Sequence, residues 1–178
     1  MLMLGAGNAS KGALTRALTE FPGSSAVLVT GGAKESMMAH PYTAKVVLKE
    51  RAGFVKMALR TGASLVPSWG FGENNIYENL ATGSPRILKW QRRIQQVLSF
   101  APLLVAGRGV FSYSGGLLPH RRPITVVIGD PIDVGKAVKE PSDARVAEVH
   151  AQYREAVQEL FDKHKDIYDP RVGALQLV

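Results

Sequence analysis

Residues 52–74 constrain the fold more than any other part of the chain. Apolar residues recur across 54–61 at the spacing of an amphipathic helix, and Gly62 suits the left-handed residue that ends such a helix. The apolar run 64–67 then predicts a buried strand, and a glycine turn over 71–74 follows it. A helix, a strand and a glycine turn in this order are typical of α/β enzymes.

A second glycine turn lies upstream. Residues 25–30 form a compact apolar run that predicts another strand, and Gly31 and Gly32 follow it directly. This upstream turn carries Glu35, and the turn over 71–74 carries Glu73. Because strands of one sheet deliver their end loops to a shared edge, we expect these two glutamates to meet in one cleft.

Three polar residues at these turns are the candidate catalytic side chains. A carboxylate at a strand end, such as Glu35 or Glu73, can bind a hydroxyl or orient an imidazole. Asn74 can polarise a carbonyl. The alternative is structural, since carboxylates often bind backbone N–H groups in turns and asparagine is a common turn residue.

The remaining elements alternate in type. The patterns predict a helix from Asn8 or Ser10 to about Glu20 and a basic amphipathic helix that begins at Ser84. They also predict strands at 44–49 and 124–128 and a long helix at 142–165. This alternation predicts an α/β fold with a mixed or mostly parallel central sheet flanked by helices. We expect a single domain over residues 1–178, with 1–7 and 170–178 frayed.

Composition narrows the class of protein. The chain has 178 residues, 46% of them hydrophobic, which is enough for one domain with a real core. It has no cysteine, which excludes disulfides and thiolate metal sites. The formal net charge of +7 favours an anionic partner: nucleic acid, lipid headgroups or a CoA thioester. The longest apolar run, 100–106, is too short to span a membrane, and the N-terminus lacks the pattern of a secretory signal.

Several basic residues are candidates for an anionic ligand. Arg108 lies between two glycines, which lets its guanidinium approach a phosphate closely, and Arg51 and Lys56 lie near the start of one predicted helix. Plain surface charge is the alternative for each. The four histidines show no zinc-binding spacing, so we expect no metal site.

The sequence blocks around these residues resemble the type-2 diacylglycerol acyltransferase family, which includes the monoacylglycerol and wax-alcohol acyltransferases. The blocks are G-G-A-x-E at 31–35, R-A-G-F-V-K-M-A-L at 51–59, G-A-x-L-V-P at 62–67 and F-G-E-N at 71–74. G-R-G-V-F at 107–111 and R-P-I-T-V-V-I-G at 122–129 continue the resemblance, which covers about residues 5–168.

The resemblance implies an acyltransferase-like fold and acyl-CoA-dependent transfer of a fatty acyl group to the hydroxyl of a diacylglycerol, a monoacylglycerol or a long-chain alcohol. It implies no cofactor beyond acyl-CoA as co-substrate. Glu35, Glu73 and Asn74 are expected to shape the acceptor and thioester pocket, while the substrate-binding set is Gly31, Gly32, Arg51, Lys56 and Arg108. Peripheral association with the cytosolic face of the endoplasmic reticulum or with lipid droplets follows from the same resemblance, and self-association or a partner subunit stays open.

One departure from the family pattern is important. The family's H-P-H-G motif, whose histidine is taken to deprotonate the acceptor hydroxyl, is absent from these 178 residues, as is its hydrophobic membrane hairpin. We therefore expect the chain to correspond to the C-terminal part of the acyltransferase domain and to be inactive by itself. The alternative is a non-catalytic isoform that binds lipid, acyl-CoA or a partner. A nucleic-acid-binding module has only the net charge in its favour, and we expect no nucleic-acid partner.

Overall fold

A computed structural model describes residues 10–20, 23–79, 105–110 and 115–178. Helices in this part of the chain are α1 (Lys11–Thr19), α2 (Gly32–Met38), α3 (Gly53–Thr61) and α4 (Asp143–Tyr168). Strands are β1 (Ala44–Val46), β2 (Ser68–Phe71), β3 (Glu78–Asn79), β4 (Val105–Ala106), β5 (Thr125–Ile128) and β6 (Leu175–Leu177). None of the helices in these ranges is long and apolar enough to cross a bilayer.

The helices begin and end where local capping chemistry predicts. The Ser10 hydroxyl accepts a hydrogen bond from the Ala13 N–H at the start of α1, and Ser142 does the same for Arg145 at the start of α4. Gly62 ends α3 with φ of 72°, a left-handed conformation that glycine adopts without a steric penalty. The predicted boundaries at Gly62 and Ser142 are confirmed, and of the two alternatives Asn8 and Ser10 the cap of α1 is Ser10. Each boundary depends on residues within one helical turn.

The described strands form three pairs. β1 and β6 are parallel, whereas β2 pairs with β5 and β3 with β4 in antiparallel register. The predicted α/β class is confirmed, and both kinds of pairing occur. In the β2–β5 pair, Gly70 lies opposite Val126, and Trp69 lies opposite Val127. Successive residues of a strand face opposite sides, so Gly70 and Val126 share one face and Trp69 and Val127 share the other.

Helix α4 connects the two parts of the hydrophobic core. Its residues Val157 and Phe161 pack with the β1, β2 and β6 side chains Ala44, Val46, Phe71 and Leu175. Its residues Val146 and Val149 pack with the buried face of α3, which consists of Val55, Ala58 and Leu59. A single amphipathic helix thus positions both α3 and the strand pairs.

Two predicted strands are wrong in position or type. The strand expected at 64–67 is instead β2, four residues later, and Leu65 makes only an isolated bridge to Ile132. Pro67 has no N–H to donate, which explains why the regular ladder begins after it. Residues 25–30 form no strand: the segment has no regular secondary structure and is mostly exposed, with 97% of Val27 accessible. An apolar run becomes a strand only when its backbone pairs with another strand, and none of the described strands pairs with this segment.

The C-terminal tail is also different from its prediction. Residues 170–178 are not frayed, because β6 pairs with β1 and the Val178 carbonyl accepts hydrogen bonds from the Leu48 and Lys49 N–H groups at 3.0 and 3.2 Å. Leu175 is only 8% exposed and belongs to the core. Residues 1–7 and the basic helix predicted from Ser84 lie outside the described residues.

Candidate functional site

A cavity of about 530 Å³ lies between α2, β1, β2 and α4, and we call it the central cavity. Its polar lining includes Glu35, Glu73, Asn74 and Lys45. Its apolar lining consists of residues from five parts of the chain: Val27, Leu28, Val29, Val46, Leu48, Trp69, Ile76, Val126 and Val157. Val27 and Val29 are exposed as well as cavity-lining, so the cavity opens to solvent beside them.

Glu35 reaches the central cavity from the first turn of α2. Gly31 precedes this helix and is buried under the Glu35 side chain, since a Cβ added at Gly31 would overlap the carboxylate. The Oε2 atom of Glu35 accepts a hydrogen bond from the Val47 N–H at 3.2 Å. Burial raises the pKa of Glu35; the Val47 hydrogen bond opposes this shift, and the negative charge of Glu73 adds to it.

Glu73 reaches the cavity from the turn after β2. Gly72 has φ of 81°, and the Pro123 carbonyl lies so close that a side chain at this position would overlap it. The chain then forms a 3₁₀ turn over Glu73–Asn75. The Glu73 carboxylate lies beside Gly70, where a Cβ would be 3.0 Å from its Oε2 atom. Glycine at position 70 therefore leaves space for this exposed carboxylate on the Val126 face of the strand pair.

The two glutamates predicted to share a cleft do line one cavity. Gly32 lines it with them, whereas Gly31 contributes by leaving room for Glu35. Asn74 lines the cavity too, but its Nδ2 group donates to the Thr43 carbonyl at 2.8 Å. Part of its hydrogen-bonding capacity is therefore used to hold the turn in place.

The three predicted cations lie elsewhere. Arg51 is exposed in the segment before α3, and the Lys56 ammonium is 3.9 Å from the Asp143 carboxylate at the start of α4. The Nε atom of Arg108 donates to the Pro119 carbonyl at 3.0 Å. None of these side chains lines the central cavity. Their contact with the phosphates of acyl-CoA stays a prediction.

Sequence reasoning missed the residues that hold the Glu73 turn. The Asn75 side chain accepts a hydrogen bond from the Tyr42 N–H at 2.7 Å and donates to the Asp169 carboxylate at 2.9 Å. Asp169 is 8% exposed, and Tyr42 has φ of 60°, which is uncommon for a residue with a side chain. No local pattern links these three positions, because they lie far apart along the chain.

Sequence reasoning also missed Tyr153. Its place on the apolar stripe of α4 predicts core packing, and the ring does pack edge-on against Phe54 with centroids 4.9 Å apart. The same side chain lines the central cavity. Helical spacing alone does not distinguish a core residue from one at the wall of a cavity.

This arrangement favours a ligand with one polar group and long apolar parts. Glu35 and Glu73 can accept hydrogen bonds from a ligand hydroxyl, while the apolar walls can cover hydrocarbon. Within the described ranges, no three histidine or acidic side chains cluster in a way that could hold a metal ion. The described polar lining of the cavity offers carboxylates, amides, hydroxyls and the ammonium of Lys45.

Comparison with known proteins gives the family. The family model described as diacylglycerol acyltransferase matches residues 1–177. Diacylglycerol O-acyltransferase 2A of Umbelopsis ramanniana is 47% identical over 88% of this chain and 45% of its own length. Diacylglycerol O-acyltransferase 2 of Dictyostelium discoideum is 42% identical over 99% of this chain and 54% of its own length. The Mus musculus protein of the same name is 43% identical over 80% of this chain and 37% of its own length.

The chain spans about half the length, or less, of these curated relatives. No solved structure matches it. The family match covers nearly all of the chain and includes both glycine turns that bring Glu35 and Glu73 to the central cavity. The chain therefore belongs to the diacylglycerol acyltransferase family.

Proposed function

We propose that this chain supplies the acceptor pocket for acyl-CoA-dependent O-acylation of a diacylglycerol, with the central cavity as that pocket. The observation that carries the proposal is the meeting of Glu35 and Glu73 in one largely apolar cavity. Family membership gives the reaction class, and the cavity offers the two chemical environments that an acylglycerol needs.

In this reaction the acceptor hydroxyl oxygen attacks the carbonyl carbon of the thioester. The new ester bond forms, the carbon–sulfur bond breaks, and the hydroxyl proton leaves with the CoA sulfur as a thiol. The hydroxyl donates its one hydrogen bond to Glu35 or Glu73, which orients the attacking oxygen. Burial raises the pKa of Glu35, and a carboxylate with a raised pKa is a stronger proton acceptor than one in water.

The acyl-CoA phosphates do not need the central cavity. They are the most strongly hydrated part of that co-substrate, and exposed cations can bind them from outside. Arg51, Lys56 and Arg108 remain the candidates, and the net charge of +7 favours such a ligand. To bind a phosphate, Lys56 would leave Asp143 and Arg108 would leave Pro119, whereas the exposed Arg51 side chain would leave no such partner.

We further propose that the chain works at the surface of a lipid-rich membrane, on the cytosolic face of the endoplasmic reticulum or on a lipid droplet. A diacylglycerol has almost no solubility in water, so its pocket must open towards a lipid phase. The exposed Val27 and Val29 at the mouth of the cavity are suited to such contact.

Ligand binding can be followed through Trp69, which lines the cavity. The chain has two tryptophans, Trp69 and Trp90, so the variant Trp90→Phe leaves Trp69 as the only one. Its emission is recorded during titration with dioleoylglycerol, which has a free hydroxyl, and with trioleoylglycerol, which has none, in mixed detergent micelles. The double variant Glu35→Gln with Glu73→Gln tests the carboxylates.

We expect dioleoylglycerol to bind more tightly than trioleoylglycerol. The double variant should lose about fivefold of that preference, because the hydroxyl then donates to a neutral amide oxygen instead of a charged carboxylate, a difference of roughly 1 kcal/mol. Glu155→Gln with Glu159→Gln makes the same change of net charge at exposed positions of α4 and should have no effect. Equal binding of the two lipids would refute the proposal. Since H-P-H-G is absent from the 178 residues, we expect no trioleoylglycerol from oleoyl-CoA and dioleoylglycerol with this chain alone.

A further inference from the structure

Tyr153 is a half-buried phenol at the wall of the central cavity. It projects from the middle of α4, and its ring packs edge-on against Phe54 with an interplanar angle of 65°. The ring also borders the core cluster that contains Val157 and Phe161. These contacts restrict the ring, so the position of its hydroxyl is restricted as well.

The hydroxyl of Tyr153 makes no hydrogen bond to any residue in the described part of the chain. Several other donors of the cavity wall, in contrast, already donate to backbone carbonyls: Ser36 to Gly32, Asn74 to Thr43, Tyr77 to Leu117 and Asn79 to Ala39. The Tyr153 oxygen is not among the buried polar atoms of the described residues that lack a partner, so it is accessible from the cavity. A phenol held at the cavity wall with its hydroxyl uncommitted is available to donate to a bound ligand.

The chemistry of the cavity indicates what that partner is. Glu35 and Glu73 are hydrogen-bond acceptors and suit a ligand hydroxyl. The ligand class proposed above also carries ester or thioester carbonyl oxygens, which are acceptors only and need a donor. Burial raises the pKa of Tyr153 above its ordinary value of 10.0, so the phenol stays neutral and keeps its proton at physiological pH.

We propose that the Tyr153 hydroxyl donates a hydrogen bond to a carbonyl oxygen of a fatty ester or thioester bound in the central cavity. The inference rests on the proposed function, because it takes the ligand to be a fatty acylglycerol or an acyl-CoA. It adds a donor that recognises the carbonyl to the two carboxylates that recognise the hydroxyl. Together they would distinguish an acylglycerol from a free long-chain alcohol.

The test compares ligands that differ only in the carbonyl. Dioleoylglycerol is paired with the corresponding dioleyl diether of glycerol, which keeps the hydroxyl but lacks both carbonyls. Oleoyl-CoA is paired with its S-alkyl thioether analogue in the same way. Binding of all four ligands is followed by Trp69 emission in the Trp90→Phe background, with and without Tyr153→Phe. Tyr168→Phe is the matched control, since Tyr168 lies at the end of α4 and does not line the cavity.

We expect Tyr153→Phe to weaken binding of the carbonyl ligand of one pair by about 3- to 10-fold, the usual effect of one lost hydrogen bond, and to leave its carbonyl-free analogue unchanged. Loss in the glycerol pair identifies an ester carbonyl as the partner, and loss in the CoA pair identifies the thioester. Tyr168→Phe should bind every ligand like the parent.

Four results would overturn the inference. Tyr153→Phe could leave both pairs unchanged, it could weaken each analogue as much as its carbonyl partner, or Tyr168→Phe could produce the same loss. The fourth is a lower unfolding temperature of Tyr153→Phe with unchanged binding, which would show a purely structural role. If the parent chain binds none of the four ligands, the proposed function fails and this inference fails with it. If the parent chain binds them but the binding does not depend on Tyr153, only this inference fails.

Discussion

Glu35 and Glu73 line the same cavity, and the negative charge of Glu73 adds to the raised pKa of Glu35. The two side chains reach this position from different glycine turns, one before α2 and one after β2. Each turn depends on a glycine: Gly31 leaves room for the Glu35 carboxylate, and Gly72 allows the Pro123 carbonyl to approach. The geometry of the pair is therefore set by backbone conformation as much as by the carboxylates themselves.

The first prediction concerns the pH dependence that Glu35 gives to stability. Burial raises the pKa of Glu35 in the folded state above the ordinary value of 4.5. As the pH rises, Glu35 therefore ionises in the unfolded state before it ionises in the folded state. The stability that protonated Glu35 contributes is lost as the pH rises through the folded-state pKa. Glu35→Gln keeps an acceptor for the Val47 N–H but removes the charge. The variant should match the parent near pH 4 and exceed it in unfolding temperature at pH 7 to 8.

Thermal unfolding at several pH values, followed by circular dichroism, measures this difference. Glu155→Gln, at an exposed position of α4, is the control and should show no such trend. Glu35→Ala should instead be less stable by about 1 kcal/mol, because it leaves the Val47 N–H without its partner. A Glu35→Gln variant that is less stable than the parent at pH 8 would contradict the assignment.

The second prediction concerns Gly72. Gly72→Ala places a Cβ on a residue with φ of 81° and against the Pro123 carbonyl, so we expect a loss of at least about 2 kcal/mol in the free energy of unfolding. Gly12→Ala is the matched substitution in α1, where an added Cβ meets nothing within 4 Å. It should stabilise the chain by about 0.5 kcal/mol, since alanine favours helix over glycine. Urea unfolding measures both, and equal effects would rule out the close approach at Gly72.

The third prediction separates two neighbouring asparagines. Asn75→Ala removes the partners of both the Tyr42 N–H and the buried Asp169 carboxylate, and should cost about 2 kcal/mol of stability. Asn74→Ala removes a single hydrogen bond to the Thr43 carbonyl and should cost about 1 kcal/mol. Urea unfolding compares the two variants. If Asn74→Ala proves the more destabilising, Asn75 is not the residue that holds the turn.

The fourth prediction concerns the C-terminal strand. Leu175 is buried in the cluster with Phe71 and Phe161, so Leu175→Ala should lower the free energy of unfolding by about 2–3 kcal/mol. Gln176 is exposed on the same strand, and Gln176→Ala should have little effect. Hydrogen exchange of the Leu48 and Val178 amides should speed up in Leu175→Ala, because both bond across the β1–β6 edge. Unchanged stability in Leu175→Ala would mean that the tail is frayed after all.

Much of the site was accessible to sequence reasoning because its signals are local. The glycine turns, their glutamates and the motif blocks lie within short stretches. The rule about strand ends that predicted one cleft applies only to Glu73, which follows β2, because no strand precedes Glu35. The cations are a different case. Arg51, Lys56 and Arg108 have the right charge for an anionic ligand, but charge carries no direction, and none of the three lines the central cavity. Their contact with the phosphates of acyl-CoA stays a prediction.

The sequence by itself determined the helix boundaries at Gly62 and Ser142, the α/β class and the family, because caps, glycine conformations and motif spacing depend on neighbours within a few residues. It left Asn8 and Ser10 as alternative caps of α1, and the structure has Ser10. Only the tertiary structure decided that 25–30 stays unpaired while the tail becomes β6, since pairing joins backbone segments that are distant in the chain. It also decided that Asn75 meets Asp169 and that Tyr153 reaches the cavity wall, because such contacts join residues distant in the chain, and no local pattern encodes them.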